Sequence, residues 1–149
     1  MSANDRQVGG SHYDGPVKHW DLVARYDLDY FAGQISKYVM RWRNKNGIED
    51  LYKAQHFMEK YLEVMKNASG PAPSIYPTGG PFPHGWGREE VFDSLNLDTT
   101  QRRIVTDLIS YSVIRNSNIL KLCSELLNQY VSDRERVESM LKESTSDSI

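Results

Sequence analysis

Apolar positions recur at helical spacing along most of the chain. Val17, Trp20, Leu22, Val23 and Tyr26 give a first helix a broad apolar side. Pro16 suits its start, where a fixed φ helps and a missing N–H costs nothing. Phe31, Ile35, Tyr38, Val39 and Trp42 share one arc of a second helix. Asp29 is its expected cap, Gly47 its left-handed stop, and about Lys45 its end. Asn46 and Glu49 have the spacing of a capping box and predict a third helix to about Lys66. The connection is so short that helices two and three should be antiparallel neighbours. Further on, Arg88 to Leu97 reads as a short amphipathic segment. Asp98 and Gln101 cap a helix from about Thr99 to Asn116. Ile119, Leu122, Cys123, Leu126, Leu127 and Tyr130 form another helical stripe. Ser132 and Glu135 are expected to open a last short helix ending near Glu143, with the tail frayed. No stretch sustains the alternation of a strand. The expected fold class is all-α: a compact helical domain with an antiparallel hairpin, a long Pro/Gly-rich loop and a helical C-terminal extension.

Residues 69–87 interrupt this pattern. They hold five of the six prolines and five of the ten glycines, together with Ile75, Tyr76, Phe82 and Trp86. Large aromatics are out of place in a flexible spacer, so an ordered loop packing them on the surface is expected. The organisation predicted is 9–68, 69–87 and 88–149. A formal net charge of −2 gives no global attraction to nucleic acid or anionic membrane. No apolar run approaches membrane-spanning length, and MSANDRQVGG lacks a signal-like apolar stretch. Neither membrane, secretion nor nucleic acid is therefore expected. The single cysteine, Cys123, sits on an apolar stripe and reads as core.

The second helix carries the candidate chemistry. Tyr30, Gln34, Lys37, Arg41 and Lys45 fall in one arc, beside the aromatic arc. No acid occurs between Tyr30 and Ile48. Cations beside aromatics suit a phosphate with a base stacked next to it. A solvated face, or pairing with a neighbouring helix, fits the same spacing. On the third helix, Asp50 stands within the apolar arc between Phe57 and Tyr61, with Lys53 at its edge. A carboxylate there either pairs with Arg41 or Lys37, or keeps its head in water at a helix N-terminus. Gly9-Gly10-Ser11-His12-Tyr13 offers mobile backbone, a hydroxyl, an imidazole and a phenol. There is no P-loop motif. His19, His56 and His84 are scattered without zinc spacing, so no metal is expected. Glu49, Glu59 and Glu63 lack acidic partners on the second helix beyond Asp29, against a magnesium cradle. Arg102-Arg103 reads as surface.

The segments GGSHY, PVKHWDLV and GQISKYVMRWRNKNGIEDLYKAQHFMEKYL together resemble a small bacteriophage domain family. Its pattern is roughly S/K-H-Y, an apolar helix, K-Y-x-x-R-x-x-x-K, then D-L-x-K-A and an aromatic one turn later. Ser11-His12-Tyr13, Lys37-Tyr38, Arg41, Lys45, Asp50-Leu51, Lys53-Ala54 and Phe57 occupy those places. The resemblance spans about residues 9 to 65. The family includes coliphage nucleotide kinases without a Walker motif, which carry this domain after a cysteine-rich region not seen here. It implies a kinase of nucleotides acting in the cytoplasm of an infected host, with no cofactor. His12, Lys37 and Arg41 would be catalytic, His12 as general base or phosphate carrier. Ser11, Tyr13, Gln34, Tyr38, Lys45, Asp50 and Lys53 would bind the nucleotide, with Tyr13 and Tyr38 stacking the base. Two alternatives remain: a nucleotide-sequestering protein that counters host immune signals, and a helical module that binds a host protein. The apolar surface of the later helices suggests a homo-oligomer, although a single core would use it too.

Overall fold

The computed structural model describes residues 15–67, 69–75 and 80–147. Among these the fold is all-α, without strands. The first helix, α1 (His19–Tyr26), begins three residues after Pro16. Lys18 is its N-cap, and Asp21 accepts the Lys18 N–H at 2.9 Å. Helix α2 (Tyr30–Arg41) is capped as expected, by Asp29 Oδ1 accepting the Ala32 N–H at 2.9 Å.

Helix α2 stops four residues short of Lys45. A 3₁₀ turn, Trp42–Asn44, follows it. The tighter turn accompanies the burial of the Trp42 indole, which donates to Tyr130 OH at 3.1 Å. Gly47 then bonds back to the Trp42 carbonyl at 2.8 Å, with φ 65° and ψ −143°. An L side chain avoids that conformation, so glycine is needed at this point. Gly47, not Asn46, is the N-cap of α3 (Ile48–Lys66). Asn46 is diverted because its N–H and side-chain amide both turn to Asp50.

The second half holds α4 (Arg88–Ser94), α5 (Thr99–Ile114) and α6 (Ser117–Asp147). The Asp98–Gln101 capping box opens α5, and Arg115 closes it with φ 58°. The expected break at Ser132 is absent: α6 runs through it and on to Asp147. Buried Val131, and Arg134 lying 5.1 Å from the Trp42 ring centroid, hold the register across that point. Glu135 accepts from Tyr52 OH at 2.8 Å instead of reaching back to Ser132.

Helices α2 and α3 form the antiparallel hairpin, and α5 and α6 a second one. Helix α2 packs on α5 and α3 on α6, so the four close into a bundle with α1 against α2. Ile35, Val39, Leu51, Met58, Ile104, Leu108, Leu120 and Leu127 are fully enclosed in one core. Polar ties join the halves. Gln101, itself buried, donates to the Val39 carbonyl at 2.8 Å and accepts from Arg43 at 2.8 Å. Tyr130 OH donates to Asp98 at 2.6 Å. The Pro/Gly-rich stretch is held at its described points. Ser74 bonds to Ser112 and Asp27, the Ala72 carbonyl accepts from Arg115, and Phe82 meets Tyr26 edge-on. Ile75, by contrast, is exposed. Cys123 is core, its thiol pushed up by burial.

Candidate functional site

Antiparallel packing of α2 on α3 places Lys37, Tyr38 and Arg41 opposite Asp50, Lys53 and Phe57. The Tyr38 ring is the centre of the group. Lys37 Nζ lies 4.5 Å, the Arg41 guanidinium 4.8 Å and Lys53 Nζ 5.5 Å from its centroid. Phe57 stacks on it with centroids 6.0 Å apart. The negative face of an aromatic ring attracts cations, which helps to hold like charges close together.

Asp50 is 0% exposed. Arg41 Nε and Nη2 donate to its two oxygens at 3.2 and 3.4 Å, and Asn46 adds two bonds at 3.4 and 3.3 Å. The paired alternative for Asp50 is therefore the one realised. With its oxygens so engaged, Asp50 orients Arg41 instead of facing a ligand. Arg41 uses one edge of its fork on Asp50 and remains partly exposed. Lys37 and Lys53 are not ion-paired among the described residues. Within the group, two lysine charges thus stand beyond the neutral Arg41–Asp50 pair.

His19 joins this site from α1, although its sequence position gives no sign of it. Its Nε2 lies 2.8 Å from Ser36 Oγ, which in turn bonds to the Gly33 carbonyl. Burial, then the charges of Lys37 and Arg41, push its pKa down to about 4. The imidazole is thus neutral and reports the positive field of the cluster. The sequence signal for this approach is the small pair Gly33 and Ser36, one turn apart, where α1 comes close.

The remaining predicted residues divide. Gln34 lies on α2 one turn before Lys37 and Tyr38, in line with Tyr30. Lys45 is exposed beyond the 3₁₀ turn, and the arc extrapolated to it ends at Arg41. Ser11, His12 and Tyr13 lie outside the described residues. Arg43 turns away to Gln101 and the Asn96 carbonyl. Arg102 pairs with Asp93 at 2.7 Å and Glu89 at 3.4 Å. No group of three or more His, Cys, Asp or Glu among the described residues is arranged to hold a metal ion. No described helix is long and apolar enough to cross a membrane.

Residues 9–59 match the model of a family described as "protein of unknown function (DUF3310)". No curated protein and no solved structure matches the chain. The matched stretch contains Lys37, Tyr38, Arg41, Asp50, Lys53 and His19, so the group assembled in space falls within one family segment.

Proposed function

We propose that the protein binds a nucleotide through its phosphates at the α2–α3 cluster, and that it is a phage nucleotide kinase transferring phosphate without a P-loop. The supporting observation is the convergence of Lys37, Arg41 and Lys53 on the Tyr38 ring, with both lysines left without an acidic partner among the described residues. Phosphoryl transfer needs mainly positioning and charge neutralisation, which the two lysines would supply beside the donor groups of Arg41. Arg41, fixed by Asp50, would present the free edge of its guanidinium to a phosphate, and the lysines would act as point charges. His12 is the proposed base or phosphate carrier.

Sequestration without turnover is the second reading. It is favoured by the engagement of Asp50, which leaves the described cluster no unbonded carboxylate to take a proton.

Titration calorimetry of the full chain against nucleoside mono- and triphosphates tests the shared binding step. Lys37→Ala and Lys53→Ala should each lose about tenfold or more in affinity, the range of a charge-assisted contact. Lys121→Ala, on exposed α6 surface, should bind like wild type. An equal loss at position 121 would indicate diffuse attraction and remove the site. Product formation from a monophosphate acceptor and a triphosphate donor, abolished in His12→Ala with binding intact, separates kinase from sequestering protein.

A further inference from the structure

The α2–α3 face carries more than cations. Tyr30, at the start of α2, is 63% exposed. Its ring is nonetheless fixed, edge-to-face on Phe31 at 5.6 Å and on Phe57 at 5.8 Å. Phe57 also stacks on Tyr38, so an aromatic row runs Tyr30–Phe57–Tyr38 and ends among Lys37, Arg41 and Lys53. The part-buried Tyr38 ring is already engaged by Phe57 and three cations, which leaves it less room for a base. Tyr30 has the surface that Tyr38 lacks. It precedes Lys37 by seven residues, two helical turns or about 10 Å along the axis. A base, a sugar and a short phosphate chain cover such a length. Gln34 lies between the two on the same face, with an amide able to bond a sugar hydroxyl or a base edge.

We infer that Tyr30 is the base-stacking platform of this site and Gln34 its polar reader, so that the ligand class is a nucleoside phosphate lying along α2, not an inorganic polyphosphate or a sugar phosphate. The inference rests on the phosphate-binding reading of the cationic cluster. It adds a second, aromatic half to the site, from Tyr30, which shares the arc of Lys37 and Arg41, and gives Gln34, already expected to bind the nucleotide, a specific part. A stacked base contributes to affinity whatever its identity, and selectivity among bases then falls to Gln34.

The test uses the full chain, with adenosine, guanosine, cytidine and thymidine triphosphates and inorganic tripolyphosphate as probes in calorimetry. Tyr30→Ala removes two edge-to-face ring contacts at the surface and should lower the thermal transition only slightly. It should lose about tenfold or more in affinity for the best nucleoside triphosphate while binding tripolyphosphate as before. Tyr30→Phe should restore nucleotide affinity. Gln34→Ala should narrow the differences among the four bases. If Tyr30→Ala binds nucleotide like wild type, or loses tripolyphosphate equally, the platform is overturned and the phosphate site stands. If wild-type protein binds neither tripolyphosphate nor any nucleotide, the phosphate reading fails and takes the platform with it.

Discussion

His19 stays neutral in the folded chain down to about pH 4, because burial and then Lys37 and Arg41 disfavour its charged form. In the unfolded chain it titrates near 6.5. Between those values the unfolded state binds more protons, so stability is full above the window and falls as the pH drops through it. His19→Gln keeps a hydrogen-bonding side chain beside Ser36 and removes the titration. Urea denaturation at a series of pH values should show the acid loss reduced by about 1–3 kcal/mol in that variant. Parallel curves for both proteins would mean that His19 titrates ordinarily. Asp50 gives a second test at this scale. Asp50→Ala leaves Arg41 and Asn46 facing a hole and should destabilise by about 3 kcal/mol or more. A change under about 0.5 kcal/mol would contradict the pairing. These two residues differ in legibility. Asp50 is visible in the sequence because a carboxylate interrupts an apolar arc of its own helix. His19 acquires its neighbours from another helix, and no periodicity within α1 records that.

Between α2 and α3 the chain reverses through a 3₁₀ turn and Gly47, and this reversal sets the register that places Arg41 against Asp50. A Cβ at Gly47 meets nothing within 4 Å, so substitution there tests backbone conformation alone. Gly47→Ala should cost about 1–3 kcal/mol in a thermal or urea melt, the range for a non-glycine residue held in such a region. A neutral result would show that the reversal accepts another path. Helix existence was readable from apolar spacing throughout, and the Asp29 and Asp98 caps fell where the sequence placed them. Helix ends were less readable where tertiary contacts compete with local signals. Trp42 enters the core and tightens the end of α2. Asn46 bonds to Asp50 and leaves the capping role to Gly47. Ser132-x-x-Glu135 has the letters of a capping box, but Val131 and Arg134 pack on either side of Ser132, and a continuous helix satisfies them both.

The two hairpins depend on each other across the whole molecule. Lys37, Arg41, Asp50 and Lys53 all belong to α2 and α3, yet the apolar faces of these helices are covered by α5 and α6. The covering includes polar bonds that water would have to replace, from Gln101 to the Val39 carbonyl and from Trp42 to Tyr130. A piece comprising residues 9–68 would expose Ile35, Val39, Leu51 and Met58, each fully or almost fully enclosed in the whole chain. Short helices are marginal in water without such packing. The expectation is therefore that residues 9–68 alone show weak helical circular dichroism and no cooperative melt, while the full chain unfolds in one transition. Gln101→Ala in the full chain should lower that transition, because it removes the buried bond to the Val39 carbonyl and the Gln101 half of the α5 capping box. A cooperative melt of the isolated piece would instead make the α2–α3 hairpin self-sufficient. The second half would then be a separate attachment, and the cationic cluster could be studied without it. If the piece fails to fold, the later helices are what hold Lys37 and Lys53 together at Tyr38, and any ligand of the cluster should raise the melting temperature of the whole chain.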